Sequence, residues 1–220
     1  MSHVIGTPIP QMPAEVLAQG PSLSLRYPRA ADAPALFAHA SDPEVTRFFS
    51  WGPYRELRDA ESWLATLPER RDGAVALELA IADGDDRPLG IILLNELSVR
   101  DRRAVVGTWL GRAYWGAGAN TEAKAMIAGL AFGPLALERL GAYTNPDNTR
   151  SQRALEKLGF RREGVLRAFH RHGGAPRDVA IFSMLRADWL ASALAAVPVR
   201  VVQEVPHAWR PDSVPAGPRP

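Results

Sequence analysis

The stretch YWGAGANTEA, residues 114–123, constrains this chain more than any other. It joins the strand-like run AVVGTWLG (104–111) to a helical pattern in which Ala123, Met126, Ile127, Leu130 and Ala131 recur at i, i+3, i+4, i+7 and i+8. A strand, a glycine turn and a helix N-terminus, in that order, make an anion site. Gly116 and Gly118 have no Cβ, so the backbone can take positive φ and approach a diphosphate closely. Unsatisfied N–H groups at the helix start and the helix dipole both favour negative charge there. The mononucleotide loop needs Gly-Lys-Ser/Thr, and GAGANT has no lysine. The dinucleotide fingerprint wants a third glycine where Thr121 stands, and an early acidic residue closing a second strand. Neither fits, and a ligand-free helix start remains open on this segment alone.

The rest of the chain narrows the choice. Cysteine is absent, which removes disulfides, thiolate metal sites and cysteine nucleophiles together. The five histidines are scattered, so no metal centre is expected. A net charge of +2 is too small to argue for nucleic acid. The longest nearly apolar run, AMIAGLAFGPLAL (125–137), is too short to span a bilayer and is broken by glycine and proline. The first twenty residues show neither a basic n-region nor an apolar core, so the expectation is a cytoplasmic protein without a membrane partner.

Residues 1–22, with four prolines, read as an N-terminal extension, and residues 193–220 as a proline-rich C-terminal tail. Between them, 23–192 reads as one domain. Strands are predicted at 23–27, in AVALELAIAD and RPLGIILLNEL, at 104–111, at 140–145, and near 161–169 and 179–186. One helix is predicted in AADAPALFAHA behind an Asp32 N-cap, and another over 58–67, stopped by Pro68. A third starts at Asn120. The fourth, NTRSQRALEKLGF, is capped by Asn148 and closed at Gly159. The sum is an α+β domain: a mixed, mostly antiparallel twisted sheet of about six or seven strands, with helices on its faces.

Two segments, GTWLGRAYWGAGANTEA and TNPDNTRSQRALEKLGFRREG, together with GGAPRDVAIFSML, resemble the Gcn5-related N-acetyltransferase (GNAT) superfamily. Within it they resemble the RimJ/RimL-like branch of ribosomal-protein N-acetyltransferases, over roughly residues 22–190. The resemblance implies a single domain with splayed central strands and acetyl-CoA as cosubstrate. Backbone near Trp109, Leu110 and Gly111 would pair with the pantetheine. Tyr114, Trp115, Gly116, Ala117, Gly118, Ala119, Asn120 and Thr121 would hold the pyrophosphate. Asn148 would bond the pantetheine arm, and Ser151 would lie near the sulfur as the general acid. Ala113 departs from the Arg or Gln common at its place, and Asn120 replaces a usual small residue. Leu155 stands where many members carry a catalytic Tyr. Helix capping remains the plainer reading of Asn148 and Ser151 taken alone.

Amide formation from a thioester needs a deprotonated amine, an oxyanion donor and a proton for the leaving thiolate. The Leu110 N–H is a candidate oxyanion donor and Ser151 a candidate acid. The branch's proposed basic Glu falls at His170, which could take the proton or simply occupy a strand. Glu96 and solvent are the other candidate bases, and Glu163 reads as structural. VTRFFSW (45–51) reads as core or as the acceptor entrance. The acceptor expected is a protein N-terminal α-amine. A small amine such as a polyamine or aminoglycoside is the alternative, and a non-catalytic CoA-binding module a third reading. Val199, Val201, Val202 and Trp209 in the tail could cross to a second subunit in a homodimer.

Overall fold

A computed structural model describes residues 16–210. The parts of the two expected extensions at 1–15 and 211–220 lie outside the described residues. In chain order the elements are β1 (Val16–Gln19), β2 (Ser24–Arg26), α1 (Ala33–Ala40), α2 (Pro43–Thr46), α3 (Leu57–Asp72), β3 (Ala76–Ala82), β4 (Pro88–Ser98) and β5 (Arg103–Leu110). Then come α4 (Ala119–Phe132), β6 (Arg139–Thr144), α5 (Thr149–Lys157), β7 (Arg161–His172), β8 (Ala175–Leu185), α6 (Arg186–Leu190) and β9 (Arg200–Val201). The strands form one sheet in the order β7-β8-β6-β5-β4-β3-β2-β1-β9. Every pairing is antiparallel except β5 with β6.

Each face of the sheet carries a core. Leu77, Leu79 and Ile92 pack with Val106, Met126 and Ile127 under α4. Ile91 and Trp109 pack on the other face with Leu36, Ala60 and Leu64 of α1 and α3. ALELAIA in β3 is buried at every position because helices cover both of its faces. The five periodic residues of α4 are all fully buried.

Several local expectations change. Pro68 lies inside α3, which continues to Asp72; the last turn is held by Leu67 in the core and by Arg70, whose guanidinium pairs with Glu78 of β3 at 2.7 Å. Asp32 makes no side-chain cap for α1. Its carboxylate instead takes the buried Arg26 guanidinium in two bonds of 2.8 and 2.9 Å, and the Arg29 N–H. Gly118, not Asn120, caps α4. Both presumed extensions feed the sheet: β1 pairs with β2, and β9 returns to cover the outer edge of β1. Trp209 is 1% exposed within the α4-side core.

The feature that positions the site is an interruption. The parallel ladder runs from Arg103 opposite Arg139 to Val105 opposite Gly141 and stops. Beyond that point β5 and β6 diverge, because β5 follows β4 while β6 follows β8.

Candidate active site

The divergence opens a cleft of about 610 Å3 between β5, β6, the loop after β5 and α5. The Gly111 N–H donates to the Leu89 carbonyl at 2.8 Å, and Leu110 stands opposite Gly90. Along an antiparallel strand the bonding groups point alternately to either side. Trp109 and Gly111 therefore turn their N–H groups toward β4, and Thr108 and Leu110 turn theirs into the opening. The Leu110 carbonyl accepts the Trp115 indole N–H at 2.8 Å. What β5 offers an incoming chain is thus the Leu110 N–H with the N–H and carbonyl of Thr108, rather than the backbone of Trp109 and Gly111. The Trp109 side chain lies on the opposite face, with its ring 5.7 Å from that of Trp51.

The loop turns free backbone N–H groups and open space toward the cleft. Gly116 and Gly118 have φ of +78° and +90°. The Thr121 and Glu122 N–H groups both close on the Gly118 carbonyl, which leaves those of Ala119 and Asn120 outside the helical bonds. A Cβ at Gly116 or Gly118 would meet nothing within 4 Å, so the space beside both belongs to the cleft. Tyr114, Trp115, Asn120 and Thr121 line it, whereas Ala117 and Ala119 complete the turn without doing so. Arg150 of α5 clasps the loop from across the cleft, with its guanidinium 3.5 Å from the Trp115 ring centroid. Burial lowers the Arg150 pKa from its ordinary value, against the opposing pull of Glu44.

Asn148 caps α5, its Oδ1 accepting the Ser151 N–H at 3.1 Å. The cap leaves the Asn148 amide NH2 as a further donor, and both residues line the cleft. His170 and His172 stack at 6.5 Å on one face of β7, and the His170 ring meets Tyr143 edge-on at 5.7 Å. All three line the same cleft. Burial, then the charges of His170 and Arg177, push His172 down. Glu96 sits behind Tyr143, accepting its hydroxyl at 3.0 Å. Burial, with that bond second, raises the Tyr143 phenol to about 12. Glu163 is held by Arg139 and Ser183. Phe48 and Phe49 line the cleft, and Phe49 and Trp51 also pack on the α1–α3 core, the core role considered for VTRFFSW.

Three features escaped the sequence reading: the Arg150 clasp, the Tyr143–Glu96 pair, and Lys124, which bonds Thr108 Oγ1 from within α4. Only Lys124 left a signal, as a lone cation on an apolar helix face.

A family profile described as acetyltransferase (GNAT) domain matches residues 22–161. The chain belongs to the GNAT family. This GNAT chain is 31% identical to the uncharacterized N-acetyltransferase p20 of Bacillus licheniformis, over 76% of its own length and 94% of p20. It is 30% identical to YdaF of Bacillus subtilis, assigned as a ribosomal N-acetyltransferase, over 46% of its own length and 55% of YdaF. A crystal structure described as an acetyltransferase from T. thermophilus superposes with a TM-score of 0.72 at 33% identity, covering 84% of this chain and 96% of that one. The protein is therefore a GNAT acetyltransferase. The open glycine turn, the free backbone of β5 and the donors on α5 fit acetyl-CoA as the acetyl source. Among the described residues, no group of three His, Asp or Glu could hold a metal ion and no helix is long and apolar enough to cross a membrane.

Proposed function

We propose that this acetyltransferase acts on a primary amine, with a protein N-terminal α-amine as its leading acceptor. The observation that carries the reading is the aromatic and imidazole part of the cleft lining. Phe48, Phe49, Tyr143, His170 and His172 all line the cleft, with Tyr143, His170 and His172 in ring contact. A lining of that kind suits a peptide end, whose backbone and first side chain need apolar and hydrogen-bonding surface. Glu44 and Asp178 stand in the lining against Arg150 and Lys157, a charge balance that does not favour a polycation. The assignment of YdaF points the same way.

Acetyl-CoA supplies a thioester carbonyl activated for attack by an amine. The Leu110 N–H donates to the carbonyl oxygen as negative charge gathers on it. Ser151 Oγ gives a proton to the departing sulfur. An α-amine of pKa about 8 loses its proton readily near neutrality, and His170 receives it through water, with Tyr143–Glu96 and solvent as competing routes.

The test is thiol release with acetyl-CoA against three acceptors: short peptides with free N-termini, the same peptides blocked, and polyamines with an aminoglycoside. A kcat/KM for free peptides above that for the small amines supports the reading. Turnover confined to small amines overturns it and leaves the acetyltransferase intact.

A further inference from the structure

Lys124 is one of two lysines in the chain, the other being Lys157. It lies in α4, one turn past the glycine loop, and is 5% exposed. Its Nζ donates to Thr108 Oγ1, and both side chains line the cleft. Among the described residues no carboxylate pairs with it, and Glu122, the neighbouring acid on α4, is spent on Ser22 and Leu23. A buried ammonium without a counter-ion costs several kcal/mol, so the neutral amine is favoured. Burial alone brings the pKa down to about 7. The neutral amine, with a lone pair on Nζ, is then accessible near neutral pH without help from a base.

The position matters as much as the protonation. On the acetyl-CoA reading the loop at 114–121 takes the phosphates, and a cosubstrate lying along β5 directs its acyl end away from the loop, to the Leu110 N–H on the side that faces Thr108. Thr108 is about 7 Å from Leu110 along the strand and holds Nζ at that end of the cleft. This step rests on the acetyl-CoA reading above.

We propose that Lys124 is an internal acyl acceptor: when no acceptor amine is bound, its Nζ takes the acetyl group of the bound thioester, and the resulting acetyl-lysine closes the cleft. The Nζ lone pair forms a C–N bond to the carbonyl carbon. The C–S bond breaks with its electron pair on sulfur, and the surplus proton on nitrogen passes to that thiolate. The products are acetyl-lysine and CoA thiol. The amide left behind is neutral and fills space that the next acyl group needs, so the enzyme silences itself when acetyl-CoA is plentiful and acceptor scarce. Thr108 is a positioning residue in this scheme.

The experiment incubates the full chain with acetyl-CoA and no acceptor, and reads intact mass and a peptide map. Acetyl-CoA binding is measured by calorimetry on the same preparation. Wild type, Lys124→Met and Gly118→Trp are run in parallel, with a wild-type sample containing excess desulfo-CoA. That competitor keeps the test valid even if a variant does not fold. The expected result is one acetyl group at Lys124. It should be lost in Lys124→Met, in Gly118→Trp and under desulfo-CoA, with residual transferase activity falling as the label accumulates and an acceptor amine protecting it. Acetyl-CoA binding with Lys124 unmodified would overturn the internal acceptor and leave the transferase reading standing. Label on Lys157, or label on Lys124 indifferent to desulfo-CoA, would mean solution acetylation and also overturn it. Failure to bind acetyl-CoA would remove the cosubstrate reading itself, and this proposal with it.

Discussion

Ser151 gives its backbone N–H to the Asn148 cap, so the hydroxyl is not needed to hold α5. Ser151→Ala should therefore leave acetyl-CoA affinity and thermal stability nearly unchanged and lower kcat about a hundredfold, the usual weight of one general acid. A pre-steady-state assay separating binding from thiol release checks this, and an unchanged kcat would return Ser151 to plain capping. Gly118 divides the other way. With φ at +90° and nothing within 4 Å of a Cβ, Gly118→Ala should cost the fold only about 1 kcal/mol. The methyl enters space meant for ligand, so acetyl-CoA affinity should drop about tenfold, equivalent to about 1.4 kcal/mol. A melting loss with acetyl-CoA affinity unchanged in calorimetric titration would contradict that placement of the ligand. These residues were legible in the sequence because turns and caps are written locally. Thr108–Lys124 and Trp115–Arg150 were not, since each pair meets only after β5, α4 and α5 have packed. Backbone direction on β5 was also hidden, because it depends on which residue of β4 stands opposite.

At the scale of elements, amphipathic spacing and turn residues were enough to read the helices and long strands, and they failed where tertiary partners decide. Pro68 reads as a stop, yet Leu67 and Arg70 carry α3 one turn further. β1 and β9, of four and two residues, are too short for alternation to show and exist through each other. The β6–β7–β8 end carries a pH-dependent tie. Glu163 of β7 holds Arg139 of β6 and Ser183 of β8. The hydrogen bond from Arg139 keeps its carboxyl at about 2, below the ordinary 4.5. A carboxylate with a lowered native pKa stabilises the fold above its unfolded pKa, and that stability is lost as pH falls toward the native value. Glu163→Gln should thus lower stability by no more than about 1 kcal/mol at neutral pH, since the pair is partly exposed. The difference from wild type should shrink between pH 4.5 and 2. Chemical denaturation across that range reads it, and a difference constant with pH would assign the loss to packing instead.

At the scale of the whole molecule, the described part of the proline-rich tail, considered as an arm that could cross to a second subunit, packs on its own domain. β9 pairs with β1, and Arg200 reaches Gln19 at 2.7 Å. Val205 and Trp209 are buried in the α4-side core, and the Trp209 indole N–H donates to the Arg71 carbonyl at the end of α3 at 2.8 Å. The segment thus covers an unpaired strand edge, which would otherwise invite pairing with another chain, and ties it to a helix on the opposite face of the sheet. The cleft lies between β5 and β6, with β4, β3 and β2 standing between it and β1. Deleting residues 199–220 should therefore separate stability from binding. Loss of the Trp209 side chain alone is worth about 3–5 kcal/mol, so the truncated protein should melt well below the full chain. Its acetyl-CoA affinity at low temperature should stay close to that of the full chain. Its mass by light scattering should not fall, and the bared β1 edge should raise it with concentration. An arm reaching into a partner would give the reverse, a dimer reduced to a monomer with its melting little changed. Scattering and thermal melts on the same two samples distinguish the arrangements, and a drop in mass would overturn the folding of the tail onto its own sheet.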